Sequence, residues 1–561
     1  MKVSFSWLKQ FVDFNLPPEE LADKLSLGAI GVKEQTQDYL ELDLTYNRGD
    51  LLSLRGVARE VAAVTNSKLS FSTLKPSNYP WEGKNLPKNL VRVDDKNLCP
   101  VYCVAKIEEL KIGPLSDEWV KKLKDSGIRS VNNAADVTNL IMLEYGQPMH
   151  AFDASRVKDK TIVVRRAKNE EKITTLDGKE RILDETDLLI ADPEKALGLA
   201  GVMGGKNSEV SEQTKTILLE AAIFDPIANR QTSKRHGLYS EATKRFQHGL
   251  TRTNLLQALT SAIEMYEGLG GKLTAITLTG NLKDKIKTIK LTQEKIKSLI
   301  GIEIPSAEVE SSLKKLEFSL TAQDSAWEVT VPYWRLDIQI EEDLIEEVAR
   351  MYGYEKISPK ELKGQLPEKI DQSFPGFIYD LRKALAEAGL TEVQTYSFFS
   401  TIILNNLDLD RTRLVKIANP ISSETEYLRE TLWPNLLEVV AKNLKAGYKD
   451  IAIFEIGKTY SPQKGDLPEE DYHLSIALMN GTDNPIQELN QIFQETISHL
   501  PGEKLQLHLE GEANENNYFH PTRFAALEKD GKEVGWIAEI HPRIANKFRI
   551  AKRVAVLEIK I

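Results

Sequence analysis

Cysteine is nearly absent from this sequence, since Cys99 and Cys103 are the only two among 561 residues. Two thiols neither form a network of disulfides nor complete a four-thiolate zinc site. Long apolar runs are also missing: no window approaches the roughly 18 to 20 consecutive apolar residues that span a bilayer, and the N-terminus lacks the apolar core of a signal peptide. We therefore expect a cytoplasmic protein without a membrane segment, whose two thiols are reduced and lie in or near a core.

Common catalytic signatures and an excess of positive charge are absent as well. The sequence contains no Walker loop, no G-x-G-x-x-G, no H-E-x-x-H and no G-x-S-x-G. Lysine and arginine number 73 against 83 aspartates and glutamates, and the net charge of −10 argues against a chain that wraps nucleic acid through its overall charge. RNA binding through a local patch or a partner subunit stays open.

What is present is the composition of an ordinary globular protein, with 41% hydrophobic and 28% charged residues. A chain of this length predicts roughly three to four domains. Apolar spacing predicts helical structure at 5–27, where Pro17-Pro18 opens a second helix at its first turn. It also predicts helices at about 54–65, from 374 to just before Gly389, and at 434–446. Other patterns predict strands at 40–44, 161–165 and 187–191, turns at 47–50 and 176–179, a linker at 66–90, and a strand–helix–strand module with an acidic helix at 285–357.

Glycine and histidine residues suit a ligand site but also have plain structural interpretations. The glycine cluster at 201–205 is either a tight turn between strands or a place where only glycine lets the backbone approach a ligand closely. His150 follows a predicted helix and is either a satisfied structural side chain or a catalytic one. His236 and His248 lie among basic residues that form either a local RNA-facing patch or a solvated helix face, namely Arg230, Lys234, Arg235, Lys244 and Arg245.

The predicted acidic helix carries Asp343, Glu346 and Glu347 at spacings that place the three carboxylates on one helical face, with Asp337 shortly before it. Like charges at this spacing cost a few tenths of a kcal/mol per pair, so a cation is expected to offset them. Oxygen ligands without sulfur suit magnesium. A solvated acidic face, or one paired with arginine, is the alternative.

Distinctive motifs recur along the whole chain, and they lie at 6–9, 47–53, 55–60, 129–139, 147–153, 199–205, 335–350, 419–422 and 454–457. Examples are Gln-Pro-Met-His-Ala-Phe-Asp at 147–153 and Leu-Ala-Gly-Val-Met-Gly-Gly at 199–205. Together, and in the same order, these motifs resemble the bacterial phenylalanyl-tRNA synthetase β chains.

The resemblance implies a heterotetramer of two α and two β subunits that joins phenylalanine to tRNA(Phe) with ATP. Aminoacylation and its ATP belong to the α subunit, whereas the β chain supports that reaction and hydrolyses mischarged Tyr-tRNA(Phe). The implied β chain ends in a class II synthetase fold without an active site. The sequence agrees with that loss, because Ile453 stands two residues before Glu455, where an active class II motif has arginine, and no terminal G-x-G-x-x-R follows.

The implied fold class is a multidomain α+β protein. We expect an N-terminal domain of helices and strands at 1–75, followed by a mixed α/β editing domain of the B3/B4 type at 76–283. A small winged-helix-like B5-type module with the acidic helix is expected at 284–359. The remaining 360–561 are expected to form an antiparallel, class II synthetase-like core.

Editing answers a physical problem. Tyrosine is phenylalanine with one added hydroxyl group, and an apolar pocket rejects an added hydroxyl group only about a hundredfold. Glu220 is expected to accept a hydrogen bond from the tyrosine hydroxyl, and the two glycines of the implied site to leave room for the ring. The ester end and a water would be held by Thr138, Asn139 and His150. The family's editing residues map onto Thr138, Asn139, His150, Gly201, Gly204, Glu220, Ser240 and Ala242. The same mapping places a magnesium ion, shared with the α subunit, on Asp337, Asp343, Glu346 and Glu347.

The sequence departs from the family at two places. It lacks the OB-fold tRNA-binding insert, since 33–35 leads directly into the 40–44 strand, and it stops at Ile561, before the family's ferredoxin-like anticodon-binding domain. We expect a minimal β subunit or a chain trimmed at its C-terminus, and anticodon recognition by this chain is in doubt. Two alternatives stay open: a purely structural partner of the α subunit with a decayed editing site, and a free-standing aminoacyl-tRNA hydrolase.

Overall fold

The computed structural model of the protein describes residues 1–71, 79–87, 89–323, 325–361, 364, 370–465, 467–498, 508–510, 517–529 and 531–561. The chain divides into two compact units, Met1–Glu361 and Leu362–Ile561. In neither unit do the described residues include a helix that is long and apolar enough to cross a membrane.

The first unit is a mixed α/β structure. Its described helices are α1 (Phe5–Leu8), α2 (Pro18–Gly28), α3 (Leu54–Thr65), α4 (Asp117–Asp125), α5 (Asn133–Tyr145), α6 (Pro226–His236), α7 (Glu241–His248), α8 (Arg252–Gly268), α9 (Gln293–Ile300), α10 (Ser306–Lys315) and α11 (Glu341–Tyr352). Its described strands are β1 (Lys2–Ser4), β2 (Gly31–Gln35), β3 (Tyr39–Asp43), β4 (Val91–Val93), β5 (Val101–Glu108), β6 (Met149–Asp153), β7 (Ile162–Arg166), β8 (Lys172–Thr174), β9 (Glu180–Ile182), β10 (Leu188–Ala191), β11 (Ala196–Leu199), β12 (Met203–Gly204), β13 (Ile217–Ile223), β14 (Lys272–Gly280), β15 (Lys287–Thr292), β16 (Ser319–Gln323) and β17 (Ala326–Val331).

Two sheets of the first unit position the candidate site. One has four strands in the order β14-β5-β13-β6, and the other has five in the order β12-β11-β10-β7-β4. Smaller sheets have the orders β1-β3-β2, β15-β17-β16 and β8-β9.

Side-chain alternation explains why the four-stranded sheet is covered on both faces. Odd-numbered residues of β5 and β13, such as Cys103 and Leu219, pack in a core with helices α5 and α8. Even-numbered residues, such as Tyr102 and Leu218, pack in a second core with β7 and β10 of the five-stranded sheet. A polar side chain at an even position of β13 therefore lies between two sheets. Both thiols are free and buried, as predicted.

The second unit is built on a sheet with the order β18-β21-β22-β26-β25-β24-β23. Its described strands are β18 (Thr391–Glu392), β19 (Phe398–Phe399), β20 (Tyr427–Leu428), β21 (Ile451–Ser461), β22 (Glu469–Met479), β23 (His508–Glu510), β24 (Phe519–Lys529), β25 (Lys532–Ile540) and β26 (Ala555–Lys560). Its described helices are α12 (Ser373–Glu387), α13 (Thr401–Asn406), α14 (Trp433–Lys445), α15 (Pro485–Ser498) and α16 (Pro542–Lys547). Helices α12 and α15 cover one face of the sheet, and α13, α14 and α16 cover the other.

The structure confirms most of the predicted elements. Helices α3, α12 and α14 and strands β3, β7 and β10 lie where the apolar patterns place them, and Gly389 follows α12 with a φ of 88°. The predicted helical segment at 5–27 is wrong in part, because α1 ends at Leu8 and an irregular segment precedes Pro17. The second helix begins at Pro18, as the proline pair predicts. Residues 47–50 are not a simple turn, since a 3-10 helix begins at Gly49. Within the predicted linker, 72–78 and 88 lie outside the described residues.

Candidate functional site

Glu220 is the only charged residue of strand β13, whose other residues are apolar. The strand lies between β5 and β6, and Glu220 is only 6% exposed. It occupies an even position and shares the sheet face of Leu218 and Ala222, toward the five-stranded sheet. Because a buried carboxylate is costly unless it is paired, packing alone does not account for a glutamate at this position.

The phenol of Tyr102 donates a hydrogen bond to Glu220, with 2.7 Å between Tyr102 Oη and Glu220 Oε2. Burial raises the pKa of Glu220 to about 7, while this hydrogen bond acts in the opposite direction. Burial and the neighbouring Glu220 raise the pKa of Tyr102 well above its usual range, so the phenol keeps its proton. Near neutral pH, Glu220 therefore exchanges between its carboxyl and carboxylate forms.

His150 lies directly opposite Glu220 on the neighbouring strand β6. Its ring contacts the Phe152 ring edge-on, with 4.5 Å between the ring centroids. The Nε2 atom is buried and has no hydrogen-bond partner among the described residues. Burial lowers the pKa of His150 to about 4, so the ring is neutral near pH 7. An orphaned ring nitrogen of this kind is available to a ligand.

The glycine cluster forms the turn between β11 and β12. Gly201 has a φ of +67°, which favours glycine. A Cβ atom at this position would lie 2.8 Å from ring carbons of both Phe224 and Phe246. The protein's own packing therefore requires glycine at 201, which differs from the expectation that Gly201 leaves room for a ligand ring.

Helix α7 and the residue that precedes it also line the site. Ser240 caps the helix, because its Oγ accepts a hydrogen bond from the backbone nitrogen of Thr243 at 3.1 Å. The same hydroxyl donates to the carbonyl oxygen of Val202 at 3.2 Å and so ties the helix to the glycine turn.

These side chains surround a solvent-connected cavity of about 260 Å³. Among the eight residues predicted for the editing site, seven line it: Asn139, His150, Gly201, Gly204, Glu220, Ser240 and Ala242. The eighth, Thr138, does not line the cavity. Its hydroxyl donates to Ala135 O of the same helix at 2.7 Å. The rest of the lining is mainly apolar and comes from Met142, Pro148, Met149, Phe152, Leu176, Ile190, Gly198, Leu199, Val202, Met203, Glu241 and Phe246.

This arrangement suits an apolar group that carries one hydroxyl. The apolar walls bury a ring or an alkyl chain, while Glu220 accepts a hydrogen bond. The sequence did not reveal Tyr102 as the partner of Glu220. The sequence indicates only, through the alternation of side chains along β5, which face of the strand Tyr102 occupies. The register that brings Tyr102 beside Glu220 is a tertiary property.

Arginine side chains of this chain supply the cations that offset the carboxylates of the acidic helix α11. Glu347 is buried and accepts hydrogen bonds from Arg350 Nε at 2.9 Å and Nη2 at 2.7 Å, and it also pairs with Arg335. Arg335 binds both carboxylate oxygens of Asp337, at 2.9 and 2.7 Å. These ion pairs hold the pKa of Glu347 well below its usual range. Asp337 and Glu347 therefore follow the alternative given in the sequence analysis, in which acidic side chains pair with arginine.

The buried ion pairs continue into the N-terminal part of the same unit. Arg350 pairs with Glu60 of helix α3 at 2.9 Å, and Arg48 pairs with the same carboxylate at 2.6 Å. Arg48 also binds Asp50 at 2.8 Å. The motif at 47–53 and the motif at 335–350 thus meet in one network.

The four carboxylates predicted to bind magnesium do not fit a magnesium site as they stand. Asp337 and Glu347 are paired with arginine, and Asp343 caps α11 by accepting from the backbone nitrogens of Gln339 and Ile340 at 2.6 and 2.9 Å. Glu346 is exposed. In the part of the chain that the structure describes, no group of three or more His, Cys, Asp or Glu side chains is placed to hold a metal ion.

The predicted basic patch is mostly paired. Arg235 and His236 bind Asp187, and the Glu241 carboxylate binds Arg245 at 2.9 Å and Lys244 at 2.6 Å. Arg230 and Lys234 remain exposed on helix α6. In the second unit, Ile453 is buried in the core, and the Glu455 carboxylate accepts from Arg429 at 2.8 Å and from Thr395 at 2.7 Å.

Three family models match the chain. The B3/4 domain matches residues 98–271, the tRNA synthetase B5 domain matches 289–354, and the phenylalanyl tRNA synthetase beta chain CLM domain matches 364–561.

Several phenylalanine–tRNA ligase beta subunits are similar over nearly the whole chain. The protein from Staphylococcus haemolyticus is 35% identical over 552 residues, which cover 95% of this chain and 67% of that protein. The one from Geobacter metallireducens is 35% identical over 549 residues, or 95% and 68% of the two chains. The one from Protochlamydia amoebophila is 36% identical over 562 residues, or 97% and 69%.

Proposed function

Since the chain belongs to the family of phenylalanine–tRNA ligase beta subunits, we propose that it supports the attachment of phenylalanine to tRNA(Phe) by an α subunit and hydrolyses mischarged Tyr-tRNA(Phe) in the Glu220 cavity. In this proposal, phenylalanine and ATP react in the α subunit of a heterotetramer with two α and two β chains. The β chain supplies a second site, within residues 76–283, that removes tyrosine from the tRNA.

The Glu220 carboxyl group is the observation that carries this proposal. Tyrosine differs from phenylalanine by one hydroxyl group, and Glu220 offers an acceptor for that hydroxyl in a mainly apolar cavity. Phenylalanine leaves the acceptor without this partner, and an unsatisfied buried polar group costs about 1–3 kcal/mol, more if it is charged.

Hydrolysis requires water to attack the ester carbonyl carbon, so that the bond to the ribose oxygen breaks and free tyrosine leaves. Asn139 and the neutral ring of His150 are the polar side chains that we propose for the ester end and the water. The Thr138 hydroxyl donates within its own helix, so we propose no donor role for it toward the ester.

The test is deacylation of preformed Tyr-tRNA(Phe) by this chain mixed with the α subunit from the same source. We expect Glu220→Ala to abolish deacylation while phenylalanine charging by the mixture stays within twofold of the parent. Glu185→Ala, on an exposed loop of the same unit, is the matched control and should leave both reactions unchanged. Unchanged deacylation in Glu220→Ala would exclude this cavity as the hydrolytic site.

The same assays separate the two alternatives. A purely structural partner would restore charging by the α subunit but would not deacylate Tyr-tRNA(Phe). A free-standing hydrolase would deacylate Tyr-tRNA(Phe) at the same rate with and without the α subunit and would not affect charging. We expect charging only in the mixture, and deacylation that requires Glu220.

A further inference from the structure

Tyr102 holds Glu220 from the side that faces away from the cavity. Its side chain is 0% exposed, and it packs in the core between the two sheets, with 6.3 Å between the centroids of its ring and that of Phe224. Tyr102 does not line the cavity, whereas Glu220 does. The carboxyl group therefore lies between a fixed internal phenol and the space that a ligand enters.

The strand register makes this contact a fixed feature of the sheet. Glu220 pairs with Val104 and Ala222 pairs with Tyr102, so Tyr102 and Glu220 are diagonal neighbours on one face. Aromatic and long side chains reach each other at this spacing. Both residues lie in strands that are buried on both faces, and neither backbone can move away without breaking the sheet.

We propose that Tyr102 is a specificity-determining positioning residue, whose hydroxyl fixes Oε2 of Glu220 so that Oε1 is presented to the hydroxyl of a bound tyrosyl ester. This inference rests on the proposed editing function. It adds the residue that orients Glu220, the side chain that recognises the tyrosine hydroxyl. The carboxylate then receives two phenolic hydrogen bonds, one from the protein and one from the substrate.

Two physical reasons favour a carboxylate in which one oxygen binds Tyr102 and the other binds the substrate. The last torsion of a glutamate side chain is broad, so an unfixed carboxylate samples many orientations, and one hydrogen bond removes that freedom. A carboxylate also has acceptor capacity for several donors, so Tyr102 does not block the substrate. With phenylalanine in the cavity the second donor is missing, and Oε1 of Glu220 is left unpaired.

The titratable groups around Glu220 leave it as the group that changes charge near neutral pH. Burial lowers the pKa of His150 to about 4 and raises that of Cys103 to about 12. The pKa of Cys99 is raised well above its usual range by burial, and that of Glu241 is lowered by Lys244 and Arg245. A change in the Tyr102 hydrogen bond is therefore visible in the pH profile of the reaction.

The test uses the chain in complex with the α subunit and Tyr-tRNA(Phe) as the substrate, with Tyr102→Phe as the variant. We expect hydrolysis at pH 7 to fall about tenfold, the size expected for a lost hydrogen bond to a charged group. Loss of the donor raises the pKa of Glu220, so the rise of hydrolysis should move to higher pH. Part of the loss should remain at pH 9, where the carboxylate is ionised but no longer held in place. The slow hydrolysis of Phe-tRNA(Phe) should not fall.

Tyr266→Phe is the matched control. Tyr266 is 1% exposed and donates its hydroxyl to the carbonyl oxygen of Ala134 at 2.6 Å, in the core on the other face of the sheet. It therefore loses a buried tyrosine hydrogen bond without touching Glu220. We expect it to lower thermal stability as Tyr102→Phe does, but to leave the pH profile of hydrolysis unchanged.

Should Tyr102→Phe fail to fold, 3-fluorotyrosine at position 102 keeps the hydroxyl and is a stronger donor. It should move the rise of hydrolysis to lower pH. An unmoved profile in both variants, or full recovery of Tyr102→Phe to the parent rate at pH 9, overturns the positioning role. If the parent deacylates Tyr-tRNA(Phe) in either case, the proposed function survives; a parent without deacylation overturns both.

Discussion

The His150 ring occupies the place where a side chain at Gly204 would begin. A Cβ atom at 204 would lie 2.8 Å from His150 Cε1 and 2.9 Å from Nε2. Distances this short between carbon and a ring atom are repulsive, so one of the two groups has to move. The glycine thus sets the position of the histidine that lies opposite Glu220.

Gly204→Ala should therefore displace the His150 ring and disturb the cavity. We expect Tyr-tRNA(Phe) deacylation to fall by about fivefold or more, because overpacking of this kind typically costs about 1–3 kcal/mol. Gly268→Ala, at the end of helix α8 with open space around it, is the control and should have no effect. Full activity in Gly204→Ala would mean that the ring position does not matter for the reaction.

Much of this site was visible in the sequence, but its physical reasons were not. The motif positions drew attention to His150 and the glycine turn, the family resemblance implied Glu220, and the structure brings them to one cavity. The partner of Glu220 was not visible, because Tyr102 lies 118 residues away along the chain and only the pairing of β5 with β13 joins them. Likewise, nothing local shows that Phe224 and Phe246 fill the space at Gly201.

The acidic helix shows the same limit. Helical spacing predicts that Asp343, Glu346 and Glu347 share a face and need a cation, and Arg350 is visible one turn after Glu347. Spacing does not show that Arg335 reaches the same carboxylate, nor that Glu60 of helix α3 joins the network. Those contacts depend on how the module packs on the N-terminal helices, which is a long-range property.

Glu347→Gln should destabilise the first unit strongly. The substitution removes one carboxylate from a buried ion-pair network. Asp337 still pairs with Arg335 and Glu60 with Arg350, but both arginines lose a buried ion pair, and breaking a buried pair typically costs about 3–5 kcal/mol. Glu346→Gln, one residue earlier and exposed, should change stability by no more than about 0.5 kcal/mol. Urea unfolding of the two variants at pH 7 measures the difference, and equal midpoints would contradict the role of the network.

Magnesium should not stabilise this chain on its own. The Asp337 and Glu347 carboxylates are already bound by arginine, and binding an ion would require these ion pairs to open. We expect neither millimolar magnesium nor EDTA to shift the thermal unfolding temperature of the isolated chain. Calcium, titrated at the same ionic strength, is the control for screening of surface charge. A saturable upward shift with magnesium alone would show that the ion displaces the arginines.

The pH dependence of stability and of hydrolysis should run in opposite directions, and both effects come from Glu220. Burial raises its pKa from 4.5 to about 7, so the folded protein holds a proton that the unfolded chain has lost. Stability should therefore fall as pH rises from about 4.5 to about 7 and then level off, by up to roughly 3 kcal/mol for this group. Over the upper part of the same range, the carboxylate forms and becomes a stronger acceptor for the tyrosine hydroxyl, so hydrolysis should rise.

Glu220→Gln separates this effect from other titrating groups, because the amide has a similar shape and does not ionise. The difference in unfolding free energy between the parent and Glu220→Gln should shift across pH 4.5–7 in the stated direction. The hydrolysis that remains in the variant, corrected for the uncatalysed reaction, should not depend on pH near 7. Parallel stability curves for the two proteins would show that Glu220 keeps its ordinary pKa, and with it an open, hydrated environment.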